Sequence, residues 1–292
     1  MAADRDTTVA FCGLGIMGGP MAANLAGAGY ELSVYTRTRE KAEAFAAEHG
    51  ARVAATPREA AEGASTVITM VPDAPEVEEV LLGEQGAVHG LGDGGLAIDM
   101  STIAPTAARA IGEHLADDGA AFLEAPVSGS RPKAEDGTLT IMVGGEETDF
   151  ERARPLFAVM GERIVYVGPR GHAQLAKLLT NTMGAVHAAA LAESVLAVEK
   201  AGIDPDAFLE VAAGSAGNST VLGLKGHPMF ERDFTPLFKL EHMLKDVRHC
   251  LDEARALGIE LRLGTLVEPI FAKAAEAGHG EEDFAAVIRA LE

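Results

Sequence analysis

Apolar residues follow two different rhythms along this chain. Up to about residue 167 they gather in short runs: TVAFCG, ELSVYT, ARVAA, STVITMV, GGLAIDM, AAFLEAPV, LTIMVGG and RIVYVG. Longer stretches with helical spacing separate the first five. Short, mostly apolar strands alternating with helices predict a parallel sheet covered on both faces. The sixth to eighth runs leave less room for helices, which predicts some mixed pairing there. Thr56-Pro57-Arg58-Glu59 reads as a capping box with proline in the first turn, and Thr148–Glu151 reads as a second one. Beyond residue 170 the strand-like runs stop. The spacing then predicts helices over 171–201, 204–213, 237–257, 262–278 and 283–292, with Asp204-Pro205 as an N-cap and first-turn pair. The pattern as a whole predicts an α/β domain over 1–168 and an all-helical domain over 169–292. The long helix from Gly171 is the expected joint.

Length and composition fit this division. A chain of 292 residues is comfortable for two domains, and 48% hydrophobic with 23% charged residues is enough to build a sizeable core. The net charge of −20 repels nucleic-acid phosphate and anionic membrane surfaces, so neither is an expected partner. An anionic substrate then needs local cations, and each pocket lysine gains interest. Two cysteines, Cys12 and Cys250, are too few for a disulfide framework or a zinc site and fit a reducing compartment. The N-terminal MAADRDTT lacks the pattern of a secretory signal, and no apolar run reaches the roughly 18 residues of a membrane span. The expectation is a cytoplasmic protein without a metal centre.

The first apolar run leads directly into Gly13-Leu14-Gly15-Ile16-Met17-Gly18, a GxGxxG. Among 33 glycines such a hexamer carries little weight alone. Here it follows a strand, opens a helix and precedes a second strand, which is the context that dinucleotide binding requires. Gly13 makes the turn, Gly15 lets the backbone approach a pyrophosphate, and Gly18 lets helix and strand pack closely. The second strand ends Val34-Tyr35-Thr36-Arg37-Thr38-Arg39, without the acid that usually holds a ribose 2′-hydroxyl. Hydroxyls and guanidinium groups suit a 2′-phosphate instead, so NADP(H) is favoured over NAD(H). The alternative for the arginines is a pair of solvated loop charges.

Gln174, Lys177 and Asn181 fall within an arc of roughly 60° on the predicted joint helix. The direction they share is expected to be the cleft that holds a cofactor's reactive end. There an ammonium could both stabilise and protonate a developing alkoxide. Spacing alone equally admits a lysine that snorkels or is ion-paired. Ser128-Gly129-Ser130 ends a strand in a turn whose hydroxyls and N–H groups suit a carboxylate, or simply cap a helix near Pro132. Lys245 and Asp246, in FKLEHMLKD, are adjacent and point about 100° apart, which reads as no helix ion pair and as two solvated residues.

Taken in order, GLGIMGGPMAANL, MVPDAPEVEEV, DMST, APVSGS with AEDGTL, the K-x-x-x-N of the long helix and KD resemble the β-hydroxyacid dehydrogenase family. Its members include 3-hydroxyisobutyrate dehydrogenase, tartronate semialdehyde reductase and glyoxylate/succinic semialdehyde reductases. The resemblance spans essentially the whole chain. It implies a Rossmann-type domain, a long interdomain helix and a helical domain that forms a homodimer or homotetramer. It places the cofactor against Gly13–Gly18 (with Leu14, Ile16 and Met17 between the glycines), Met70, Val71, Pro72, Thr102 and Lys245, beside the strand-end residues Thr36, Arg37 and Thr38 read above. It places a small carboxylate-bearing substrate against Ser128, Gly129, Ser130, Lys177, Asn181, Phe238 and Asp246. Lys177 becomes the general acid/base and Asn181 its helper. Ser130, His172 and Ala173 depart from the common family pattern. Thr180 replaces the histidine of 6-phosphogluconate dehydrogenase, and Lys177 argues against imine reductases. The expected activity interconverts a small hydroxy acid and its aldehyde or keto acid with NADP(H), in the manner of the semialdehyde reductases. Two rivals stand beside it: an NAD-dependent 3-hydroxyisobutyrate or serine-type dehydrogenase, and a cofactor-binding regulatory protein without turnover.

Overall fold

The computed structural model describes residues 8–292. The N-terminal residues 1–7, read above for their lack of a secretory pattern, lie outside the described residues. The chain divides into two compact units at Lys177/Leu178. The first is an α/β unit and the second is helical.

The α/β unit is built on a nine-stranded sheet. Its strands are β1 (Val9–Cys12), β2 (Leu32–Tyr35), β3 (Arg52–Val53), β4 (Thr66–Thr69), β5 (Leu96–Asp99), β6 (Ala121–Glu124), β7 (Val127–Ser128), β8 (Leu139–Gly144) and β9 (Gly161–Gly168). Their order is β3-β2-β1-β4-β5-β6-β8-β7, and β9 pairs with β8. Strands β1 to β6 pair parallel. Strand β8 meets β6 and β7 antiparallel, so the expected mixed pairing is present. The eighth apolar run extends two residues earlier than its sequence pattern, and the sixth splits into β6 and β7.

Alternation along β1 shows why these strands are apolar on both sides. Val9 and Phe11 join one core with Met21 and Leu25 of helix α1 (Gly18–Gly27). Ala10 and Cys12 join the other with residues of the helices over Ala74–Leu82 and Pro105–Asp117. Burial pushes the Cys12 thiol up to about 12, so it behaves as a small apolar residue. The chain winds from β1 out to β3 and then restarts at β4 on the other side. The carboxyl ends of β1 and β4 therefore flank the switch point where such sheets bind ligands.

The Thr56 capping box forms: its hydroxyl accepts the Glu59 N–H at 3.1 Å, and Glu59 accepts the Ala55 N–H at 2.7 Å. The second box does not. The helix there runs Glu147–Met160 with Glu146 as N-cap, which leaves Thr148 inside the first turn. In the second half the long helix spans His172–Ala201 and is followed by Pro205–Ala213, Leu240–Ala256 and Arg262–Ala274. An additional helix, Thr220–Glu231, has no counterpart among the sequence expectations. The predicted helix over 262–278 gives way to a π-turn at Ala275–His279, where Gly278 reaches φ 96°, and the last one is a 3-10 helix, Phe284–Ala290. The core of this unit gathers Ala185, Leu191, Val195, Met243, Val247, Phe271 and Val287. No helix among the described residues is long and apolar enough to cross a membrane.

Candidate active site

The glycine turn lies at the carboxyl end of β1. Gly13 adopts φ 108°, and a Cβ there would run into the Met70 carbonyl. A Cβ on Gly18 would strike the Gly13 carbonyl, so α1 can start this close to the strand only through glycine. A Cβ on Gly15 would meet nothing within 4 Å. The turn thus combines tight packing behind with open space beside its middle glycine, and a dinucleotide pyrophosphate fits that arrangement. Leu14 is buried, while Ile16 is exposed.

At the end of β2, Thr36 is half-buried and Arg37 and Thr38 are exposed. Thr38 is the N-cap residue of the helix Arg39–His49, but its hydroxyl makes no cap bond. Arg39 is committed to Glu43 at 2.8 Å. Arg37 makes no ion pair among the described residues.

The loops after β4 and β5 are tied together. Asp99, fully buried, accepts the Thr69 hydroxyl at 2.7 Å and the Ser101 N–H at 3.1 Å through one oxygen. The Ser101 hydroxyl accepts the Val71 N–H at 3.0 Å. Met70, Val71 and Pro72 are thereby held next to Ser101-Thr102. Gln174, on the long helix, is fully buried; it donates to the Ser101 carbonyl at 2.9 Å and accepts the Ile103 N–H at 3.1 Å. Its side chain therefore turns to this loop rather than to an open cleft. Lys177, one turn on, is 7% exposed.

Glu124, the last residue of β6, holds the start of the same helix. Its Oε1 accepts the N–H groups of Ala173 at 2.7 Å and Gln174 at 3.3 Å. Burial raises its pKa above the usual carboxylate value and outweighs the lowering by backbone N–H groups at 171, 173 and 174; the nearby Asp99 charge raises it further.

Ser128 closes β7, and Gly129 follows at φ 143°. A Cβ on Gly129 would come within 2.7 Å of the Lys133 side chain and 3.1 Å of Leu139. Ser130 opens the short helix Ser130–Glu135 at φ 57°, in the left-handed region where glycine is unstrained. The departure from the family's glycine therefore has a backbone cost as well as an added hydroxyl.

In the helical unit Asn181 donates to Asp246 Oδ2 at 2.6 Å, which fixes which end of its amide is the acceptor. Asp246 is 1% exposed. The expectation of two separate solvated residues at Lys245-Asp246 needs correction. The Lys245 ammonium sits 3.3 Å from Asp246 Oδ1, because a four-carbon stem can fold back where rigid side chains on neighbouring helix positions cannot. Phe238 packs edge-on against Phe284 at 6.2 Å, and its N–H donates to Asp283 at 3.2 Å.

Sequence reading missed Asp99, Glu124 and Asp283. A signal existed for Glu124, since it is a charge closing an otherwise apolar strand, as Lys177 is a charge in an apolar helix. The same signal existed for Asp99, which closes the apolar strand β5, and Asp283 is the N-cap of the helix Phe284–Ala290; their distant partners, Thr69 and Lys225, leave no local mark.

Two family models cover the chain: the NAD binding domain of 6-phosphogluconate dehydrogenase over residues 8–168, and the NAD-binding domain of NADP-dependent 3-hydroxyisobutyrate dehydrogenase over residues 171–291. The chain is 38% identical over 282 residues to 2-hydroxy-3-oxopropionate reductase of Escherichia coli, covering 97% of this chain and 96% of that one. It is 34% identical over 284 residues to the chloroplastic glyoxylate/succinic semialdehyde reductase 2 of Arabidopsis thaliana, covering 97% of this chain and 79% of that one. A solved structure of Mycobacterium tuberculosis 3-hydroxyisobutyrate dehydrogenase with L-serine superposes with a TM-score of 0.87 at 35% identity, covering 98% of this chain and 99% of that one.

Proposed function

The chain belongs to the β-hydroxyacid dehydrogenase family of oxidoreductases, and from that premise we propose an NADP(H)-dependent reductase of small aldehyde or keto acids, with Lys177 as proton donor. Glyoxylate, succinic semialdehyde and tartronate semialdehyde are the substrate types that its relatives' names support. One observation carries the reading: a lysine all but withdrawn from solvent, on the helix whose start is fastened to the carboxyl ends of β5 and β6.

When bound, the nicotinamide supplies the hydride that adds to the carbonyl carbon. Lys177 gives its ammonium proton to the carbonyl oxygen, so the developing alkoxide ends as a hydroxyl on the same carbon and Lys177 as a neutral amine. In the oxidative direction the neutral amine takes that proton back. Asn181, oriented by Asp246, positions the reacting oxygen. Ser128, Gly129 and Ser130 hold the carboxylate, and Phe238 lines the substrate side. Gly13–Gly18 would take the pyrophosphate, with the Gly13 N–H itself already given to the Tyr35 carbonyl, while Thr36, Arg37 and Thr38 would take the 2′-phosphate. Met70, Val71, Pro72 and Thr102 would hold the nicotinamide half, and Lys245 would bind the cofactor. A homodimer or homotetramer through the helical unit is part of the proposal, supported by Val211, Leu263 and Leu266, which are 71%, 64% and 67% exposed there.

A spectrophotometric panel of glyoxylate, succinic semialdehyde, tartronate semialdehyde, 3-hydroxyisobutyrate and serine, each with both cofactors, tests the substrate class. Lys177→Ala should lower turnover by about 10²–10⁴-fold while NADPH affinity by fluorescence titration stays within a few fold. Parallel loss of cofactor binding would refute the proton-donor role. Thr36→Asp with Arg37→Leu should move preference towards NAD, and an unchanged kcat/KM ratio would refute the 2′-phosphate assignment. The relative solved with L-serine supports a second reading, an NAD-dependent 3-hydroxyisobutyrate or serine-type dehydrogenase. Faster initial rates with NAD than with NADP on those substrates would select it. Tight NADPH binding without oxidation across the panel would select a non-catalytic role.

A further inference from the structure

We propose that Gln174 is a positioning residue, whose carboxamide grips the two peptide groups that bracket Thr102 and so fixes that loop relative to Lys177. The inference rests on the reading above, in which Thr102 adjoins the nicotinamide and Lys177 delivers the proton.

A buried carboxamide is costly unless both of its ends are bonded. Gln174 is fully buried and meets that condition in one way: Nε2 donates to the Ser101 carbonyl and Oε1 accepts the Ile103 N–H. A residue that merely filled this volume could be leucine or methionine. The planar fork of an amide instead matches a C=O and an N–H two residues apart, as a strand partner would. The partners are 73 and 71 residues away in sequence, so the clamp joins two distant segments rather than capping its own helix.

The gripped loop has little freedom left. The Ser101 N–H goes to Asp99, its hydroxyl accepts from Val71 and its carbonyl accepts from Gln174. On the other side the helix cannot slide, because Glu124 holds the N–H groups of Ala173 and Gln174 itself. Three residues beyond Gln174, less than one turn away, stands Lys177. The distance from Thr102 to the lysine is therefore set through one rigid turn and one bidentate amide. Catalysis by a donor and an acceptor held on separate segments is sensitive to that spacing, and a misplacement of about 1 Å can cost about 100-fold in rate.

Gln174→Met removes both hydrogen bonds at nearly constant volume. We expect kcat with NADPH to fall about 100-fold while the NADPH dissociation constant and the substrate KM change by less than about 3-fold. The deuterium isotope effect on kcat, with NADPH labelled at C4, should rise because hydride transfer becomes slower. Hydrogen exchange should accelerate in the 99–105 peptide and remain slow in the β8 peptide. Equal loosening of both peptides, a rise in KM matching the fall in kcat, or an unchanged kcat would overturn the inference. A wild-type protein that turns over nothing in the panel would overturn the proposed reaction instead. In that event the clamp is judged by the exchange of the Ile103 amide alone.

Discussion

Each unit buries carboxylates, and the two units neutralise them by different means. In the α/β unit Glu124 is held by the N–H groups at the start of a helix, and Asp99 by a hydroxyl and an N–H. In the helical unit Asp283 faces an ammonium: Lys225 Nζ lies 2.8 Å from Oδ1 and 2.9 Å from Oδ2, and both residues are nearly fully buried. Asp283 also accepts the N–H groups of Leu237, Phe238 and Ala285, and Lys225 sits 4.6 Å from the Phe284 ring centroid. Peptide dipoles orient a helix without introducing a second charge. An ion pair fastens segments firmly but leaves an uncompensated charge when one partner goes. The first device suits a place that must hold geometry for chemistry. The second suits the fastening of the 280–285 segment onto the strand-like stretch before Leu240.

This contrast can be broken in order of size. Asp283→Ala strands Lys225 and should cost about 3–5 kcal/mol, read as a lower urea midpoint. Lys225→Met leaves Asp283 with its three N–H donors, so it converts the ion pair into the N–H-held type. It should cost clearly less than Asp283→Ala; equal losses would mean that the N–H groups contribute nothing. Glu124→Ala should cost about 1–3 kcal/mol from the unsatisfied helix N–H groups, and Glu124→Gln, which keeps an acceptor, less. The smallest effect is one of pH. The folded protein binds the Glu124 proton more tightly than the unfolded chain does. The stability this adds is therefore complete below about 4.5 and is lost as pH rises through the raised value. Urea midpoints across acidic pH should show wild type losing ground to Glu124→Gln over that window. Parallel curves would mean that the acid is not shifted.

Much of this architecture was legible because burial on both faces leaves a plain mark. Strands β1, β4 and β5 are buried throughout and read as apolar runs, and the glycine turn announced itself by its place between strand and helix. The helix Thr220–Glu231 did not. Its buried positions, Leu222, Lys225, Gly226 and Met229, follow helical spacing only when a lysine and a glycine count as core, and Pro228 interrupts the pattern. The second capping box was misplaced by two residues because glutamate at 146 starts the helix without a side-chain bond. Lys177 stood out as a charge among small apolar neighbours, whereas Gln174 did not, since an amide on a helix has no sign of its bonding partners in its sequence neighbourhood. The Lys245-Asp246 pair escaped because helical angles describe Cβ directions and not the reach of a long stem.

The latch from Glu124 to Ala173 spans 49 positions of sequence. Pro169 and Arg170, just ahead of the long helix, are thereby relieved of supplying a capping side chain, whereas Gly171 stays bound to glycine by its φ of 93°. A saturation survey of the gene should accordingly find tolerance to polar swaps at 169 and 170, and their intolerant counterpart far upstream, at a codon in a strand.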